Sequence, residues 1–245
     1  MLSELNFSVM KKWILATWVA MCVILAACND DEKVKEEPAS IYEQVVSGTL
    51  DDHDYVDLGL PSGTLWATCN VGATTFEAYG NEFAWGETRI IDNWRDYVYK
   101  FGERCEYTKY CTELSDGVFD DETGNRFVDN KTLLEAQDDA ATEHWGEHWC
   151  MPTGEQCMEL KEKCVWEKIK SNGQLGSRVT GPNGNSIFLP TPDKTNVEGG
   201  LPINSYWSST LGLSDPYLLD AVCPPSVWEC DFRDVSQYVR PVVSK

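Results

Sequence analysis

The chain has 245 residues, of which 40 are Asp or Glu and 20 are Lys or Arg, giving a formal charge of −20. That balance excludes non-specific nucleic-acid binding, which needs a basic face to neutralise phosphates, and it excludes electrostatic adhesion to anionic lipid. Hydrophobic residues make up 42%, with 10 Trp, 10 Tyr and 8 Phe, too aromatic a composition for a disordered chain.

Lys11-Lys12 precede the apolar run Trp13–Leu25. Thirteen residues reach only about 20 Å as a helix, short of a hydrocarbon core of about 30 Å, so residues 1–27 read as a signal peptide rather than a span. The run ends Leu25-Ala26-Ala27-Cys28, which resembles a bacterial lipobox, whose cysteine thiol takes the lipid. Cys28 is therefore the expected lipid attachment, and the membrane is a partner through that lipid alone. Met10, just before the lysines, is an alternative start. From Cys28 the chain runs Asn29-Asp30-Asp31-Glu32 into further charges and Pro38. Residues 28–53 are expected to form an acidic tether.

The expected folded domain is 54–245. Tyr55–Leu60 alternates as a strand does and stops at Pro61-Ser62-Gly63; Leu65–Gly72 and Glu82–Gly86 follow as strand candidates. Residues 102–130 are polar and acidic, which predicts an inserted loop. Leu133–Ala141 predicts a short helix. A second helix starts at Thr153, with Gln156 three residues on as a capping box, and ends at Cys164. Ser171-Asn172-Gly173 and Gly181-Pro182-Asn183-Gly184-Asn185 are hairpin signals. Short strand candidates continue at 187–189, 205–208, 217–219, 227–230 and 238–240. Two helices beside many short strands predict an α+β fold in one domain.

Six strings in order carry a resemblance: Tyr55-Val-Asp-Leu-Gly-Leu-Pro-Ser-Gly-Thr-Leu-Trp-Ala-Thr-Cys-Asn-Val-Gly-Ala73, Phe83-Ala-Trp-Gly-Glu-Thr88, Trp145-Gly-Glu-His-Trp-Cys-Met-Pro-Thr153, Val179-Thr-Gly-Pro-Asn-Gly-Asn-Ser-Ile-Phe-Leu-Pro190, Tyr206-Trp-Ser-Ser-Thr210 and Val239-Arg-Pro-Val242. Together they resemble the Fibrobacter succinogenes major paralogous domain, common in lipoproteins of Bacteroidetes. The resemblance implies a C-type-lectin-like fold, in which two short helices accompany a twisted, loop-rich antiparallel sheet whose terminal strands lie close. It also implies an envelope location: an outer-membrane lipoprotein, surface-exposed. It implies no defined activity, because function lives in sites rather than folds. Cys150 stands where the family has Arg, and the segment from Thr210 to Val239 departs from its Tyr/Ser/Asn-rich pattern.

That atypical segment is the expected ligand-facing surface. Tyr217 and Trp228 offer aromatic faces for a glycan or a surface protein, and Glu229, Asp231 and Arg233 alternate along a candidate strand as one polar face. Core packing and a solvated sheet face are the competing readings of these residues. Trp66, Trp85, Trp145, Trp149 and Trp207 lie in the shared strings and are expected in the core.

Setting aside Cys22 and Cys28, the cysteines number eight, and the sequence leaves their pairing open. An exported chain is expected to oxidise them. The expected set is Cys69–Cys164, Cys105–Cys111, Cys150–Cys157 and Cys223–Cys230. The absence of a CxxC motif lowers zinc and thioredoxin-like readings. His144-Trp-Gly-Glu147-His148 matches the inverted zinc-protease pattern, but Gly146 and Pro152 speak against the helix it needs. The acidic run Asp116–Glu122 lacks a calcium-loop spacing.

The expectation is therefore a ligand-binding, adhesion-type lipoprotein with no catalysis and neither cofactor nor metal. The alternatives are a structural envelope or fimbria-associated subunit and, behind it, a formylglycine-generating-oxidase-like enzyme that would bind copper through Cys223 and Cys230.

Overall fold

Short apolar runs divided by turn residues fold, in a computed structural model, into a mixed α+β architecture of mostly antiparallel sheets with, among the described residues, two α-helices. The described residues are 35–36, 42–120, 122–192, 205–212, 215–221, 224–229 and 232–243. The expected signal peptide and Cys28 lie outside them, as do Asp231, Cys223 and Cys230. Before residue 42 only a two-residue strand, β1 (Lys35–Glu36), is described.

The body between residues 36 and 245 holds three main sheets. In the first, β2 (Gly48–Leu50), β3 (His53–Asp57), β4 (Leu65–Ala67) and the C-terminal β15 (Val242–Val243) lie in the order β15-β4-β3-β2. The strand nearest the C-terminus thus pairs antiparallel with an early one, Val242 opposite Trp66. The turn joining β2 to β3 is Asp51-Asp52, both at positive φ (48° and 63°). This is the twist that a two-residue hairpin needs, and Asp tolerates it better than most side chains. Tyr42 and Gln44 also belong to the folded body, since Gln44 Nε2 donates to Ser186 O at 2.6 Å and the Tyr42 ring lies 5.9 Å from Phe188. Residues 42 and 44, expected in the tether, thus contact the folded body.

The second sheet is a meander of β8 (Val165–Ser171), β9 (Gln174–Thr180) and β10 (Ser186–Pro190). Its first turn is Asn172-Gly173, with φ of 47° and 84°, as the sequence signal requires. The third sheet is built from β5 (Glu82–Phe83), β11 (Ser205–Leu211), β12 (Pro216–Asp220), β13 (Ser226–Glu229) and β14 (Gln237–Tyr238). Its order is β13-β12-β11-β14-β5, with β11 and β14 paired in parallel.

The two helices differ in how well the sequence marks them. Helix α2 (Gly154–Lys163) has the full capping box: Thr153 Oγ1 accepts from Gln156 N, and Gln156 Oε1 accepts from Thr153 N. It ends at Cys164, as expected. Thr153→Ala is expected to cost about 1 kcal/mol, read as a fall in the urea midpoint with unchanged slope. Helix α1 (Ala140–Trp145) starts later than the apolar run at 133–141 suggests. Leu133 bridges to Thr210 and Leu134 N donates to Ser209 O, so the sheet takes this backbone first. A short 3₁₀ turn at Ala136–Asp138 follows, and α1 begins only after Asp139, whose carboxylate caps Ala141 N and Thr142 N. The same buried carboxylate accepts from Met151 N, tying α1 to the strand-like stretch before α2.

Two apolar clusters make the core. One gathers Trp85, Trp145, Trp149 and Trp207 with Phe101, Tyr107, Tyr110 and Cys111. The other gathers Val56, Trp66, Cys157, Leu160, Ile187 and Tyr206. The five tryptophans expected inside are buried, none above 8% exposure. The segment 102–130 is more than a solvated loop. It carries the hairpin β6 (Phe119–Asp120) and β7 (Asn125–Arg126), and it sends Tyr107, Tyr110 and Cys111 into the first cluster.

Candidate functional site

The atypical segment meets α2 across a groove. Helix α2 lies on the third sheet over β11, β12 and β13, and the two surfaces leave a cleft of about 720 Å³ between them. Thr210, Tyr217 and Val227 line it from the sheet, and Gly154, Glu155, Met158, Glu159, Glu162 and Lys163 from the helix. The local reasons are periodic. Glu155, Met158 and Glu162 follow at i, i+3 and i+7, so they form one stripe on α2, and all three are exposed. In an antiparallel sheet paired residues share a face. Leu219 opposes Val227, and Tyr217 lies two residues from Leu219, so Tyr217 and Val227 face α2 together. Gly154 lets the Tyr217 ring come close, because a Cβ there would sit 3.3 Å from it. Glu159 is held at the groove wall by Ser62, whose N–H donates to its carboxylate at 2.9 Å.

Of the five residues expected to face a ligand, Asp231 lies outside the described residues, and Tyr217, Trp228 and Arg233 do not share one surface. Tyr217 lines the groove. Trp228 opposes Leu218 and so points to the other face of the sheet, where it is 37% exposed. Glu229 opposes Tyr217 in register and closes β13. Arg233 is a correction: it is fully buried, in a turn beyond the strand. Its Nη1 donates to Tyr110 O at 2.9 Å, and its guanidinium lies 4.0 Å over the Tyr107 ring. A side chain so enclosed offers a ligand nothing. It fastens the C-terminal segment to the 102–130 insert, and period-two counting missed this because β13 ends before it.

The cysteines are a second correction. Cys69, Cys105, Cys111, Cys157 and Cys164 are free thiols in the structure, so Cys69–Cys164, Cys105–Cys111 and Cys150–Cys157 are not bonded. Packing gives the reason for two of them. Cys69 packs on the first cluster and Cys164 on the second. Cys111 is buried and donates Sγ–H to Tyr107 O, whereas Cys105 is exposed. Cys150 Sγ donates to Val242 O at 3.7 Å. Burial pushes Cys157 and Cys164 up to about 12 and Cys111 up to about 11, so these thiols stay protonated at neutral pH and are poor nucleophiles.

The histidines do not converge on a metal. His144 Nε2 meets Thr88 O at 2.9 Å, His148 Nδ1 meets Asp51 Oδ2 at 2.8 Å, and His53 stacks on Trp145 at 3.7 Å between ring centres. Gly146, at φ 96°, ends α1 between His144 and His148, so the i, i+4 geometry of a helical zinc pair is lost. Burial lowers the pKa of His53, while the Asp51 carboxylate raises that of His148. In the acidic insert Asp120 accepts from Glu122 N and Thr123 N as a turn residue, and Asp121 lies outside the described residues. Among the described residues no three His, Cys, Asp or Glu side chains are placed to hold a metal.

Compared with protein-family models, with curated proteins and with solved structures, the chain matches none, so the groove's chemistry has to be read from its own residues.

Proposed function

We propose that the protein is a lipid-anchored envelope protein that binds a ligand in the groove between α2 and the third sheet and carries out no reaction there. The observation that carries this reading is the groove itself. It combines an apolar floor of Tyr217, Val227 and Met158 with a polar rim of Glu155, Glu159, Glu162, Lys163 and Thr210. An apolar cleft with a few convergent polar groups is the usual form of a binding site. The pairing of β15 with β4, which brings the chain's late and early strands together, and the two helices beside looped sheets support a C-type-lectin-like arrangement. The membrane attachment and the outer-surface location rest on the lipobox-like Leu25-Ala26-Ala27-Cys28 and the acidic run after it.

The test uses the full chain in non-ionic detergent micelles on glycan and surface-protein arrays, beside Met158→Trp. Met158 is exposed on α2 and lines the groove, so a larger ring fills the cleft without opening the core. Wild type is expected to capture a ligand that Met158→Trp binds at least about tenfold more weakly. Equal binding by both proteins would move the site off the groove. No capture by a folded, monodisperse sample would favour the structural-subunit alternative.

A further inference from the structure

We infer that the groove receives an extended basic peptide from a partner protein, added as a strand to the outer edge of β13. This rests on the groove being the ligand site, and it names the occupant. The first observation is a sheet edge that no described strand pairs with. β13 closes one end of the third sheet, and among the described residues its only strand neighbour is β12. An edge strand presents a row of backbone N–H and C=O groups that an incoming strand can satisfy.

The second observation is what lies beside that edge. Val227 of β13 lines the same groove as the α2 stripe, so a strand added to β13 comes next to the helix. Every second side chain of such a strand would turn toward the groove. There it meets three carboxylates, Glu155, Glu159 and Glu162, against one amine, Lys163. Glu159 is already engaged by Ser62 through both its N–H and its hydroxyl. Glu155 and Glu162 are exposed and form no ion pair among the described residues. Lysine or arginine at alternate positions of the peptide would lay its aliphatic stem on Met158 and Tyr217 and place its charge at these two carboxylates.

The third observation is the long-range field. A formal charge of −20 attracts a basic segment and repels an acidic one before contact. A neutral glycan could stack on the apolar floor and donate its hydroxyls to the carboxylates, but it could not continue the backbone ladder of β13 and would feel no attraction from the net charge.

Fluorescence anisotropy on the full chain in non-ionic micelles tests this with four labelled heptapeptides. One alternates Lys and Thr, one alternates Glu and Thr, and two are versions of the Lys peptide, each N-methylated on one alternate set of amides. The Lys peptide is expected to bind at low salt, at least about tenfold tighter than the Glu peptide, and to weaken as salt rises. One N-methylated version is expected to lose binding, because its blocked amides are those that pair with β13. The double variant Glu155→Gln, Glu162→Gln is expected to weaken the Lys peptide about tenfold while keeping the wild-type unfolding midpoint.

Full binding by both N-methylated versions would overturn strand addition, and binding indifferent to the double variant would overturn the charge assignment. Failure of the Lys peptide alongside an array ligand that Met158→Trp abolishes would remove the strand occupant and keep the groove. Insensitivity of both peptide and array ligand to Met158→Trp would remove both.

Discussion

Replacing Arg240 with methionine is expected to destabilise the protein by about 4 kcal/mol or more, enough to leave a marginal domain largely unfolded at body temperature. Arg240 is fully buried. Its Nε donates to Asn70 Oδ1 at 2.7 Å, its Nη1 to Ala67 O at 3.0 Å and Thr68 O at 2.8 Å, and its Nη2 to Phe188 O at 3.0 Å. All four acceptors are neutral oxygens. The planar fork thus ties the C-terminal segment to the end of β4 and to β10, which belong to different sheets. Asn70 passes the link on, its Nδ2 donating to Tyr79 O.

Burial lowers the pKa of Arg240, the mark of a cation held out of water at an electrostatic cost. Methionine removes that cost, but it orphans up to four buried acceptors at about 1–3 kcal/mol each. The orphaned oxygens should dominate, since carbonyls fixed in strands cannot turn to water. Arg240→Lys separates charge from geometry: it keeps the cation, cannot reach four acceptors from one nitrogen, and is expected to recover less than half of the loss. Urea unfolding measures both variants. A loss under about 1 kcal/mol for Arg240→Met would show that the core repacks around the missing fork.

The second large effect is expected at Asp138. This buried carboxylate accepts from Lys100 Nζ at 2.9 Å, Lys109 Nζ at 2.5 Å and Tyr110 Oη at 2.6 Å. Lys109 also pairs with Glu135, which Lys131 reaches from the other side. The ammonium of Lys100 lies 4.8 Å over the Phe101 ring, and that of Lys109 lies 4.9 Å over the Tyr110 ring. The cluster joins the 102–130 insert to the turn before α1. Removing the carboxylate from a fully buried pair costs about 3–5 kcal/mol. Here both lysines keep some solvent access, with side chains 26% and 18% exposed, so water can take up part of the charge. Asp138→Ala is therefore expected to cost about 2 kcal/mol, with hydrogen exchange rising first in residues 100–118.

The pH dependence of that effect has a definite sign. Burial opposes the charge on Asp138, but the hydrogen bonds from Lys109, Tyr110 and Lys100 outweigh it and hold the carboxyl below its ordinary value. A carboxyl whose pKa falls on folding contributes stability above its unfolded value, about 3.9. That contribution is lost as pH falls through the lower, folded value. The difference in urea midpoint between wild type and Asp138→Asn should be full at pH 5 to 7 and should close below about pH 4. A gap that persists unchanged into stronger acid would mean that the carboxylate's hydrogen-bond geometry, rather than its charge, holds the insert.

Signals confined to a few residues could be read before any fold was known. The Thr153–Gln156 capping box, the end of α2 at Cys164 and the Asn172-Gly173 turn are local matters of backbone hydrogen bonding and allowed φ. The burial of the five tryptophans follows from the cost of leaving large apolar surface in water. Everything that depends on partners far along the chain was out of reach of such signals. Arg233 reads as the third member of an alternating polar face, yet its partner Tyr110 lies 123 residues away and draws it inside. The 102–130 segment reads as loop because its charges outnumber its apolar residues, yet Tyr107, Tyr110 and Cys111 suffice to seat it in the core. The cysteine pairing could not be counted out of spacing, because bridging needs Cβ atoms brought within about 4 Å, and Cys69 and Cys164 pack as free thiols against different core clusters. Among the described residues expected to meet a ligand, Tyr217 lines the groove, which exists only once α2 lies across β11, β12 and β13. Composition, caps and turns belong to the linear chain, where the deciding contacts are near neighbours. The groove, the buried arginines and the ion cluster at Asp138 belong to the packing of elements, where one side chain's environment is made by residues a hundred positions away.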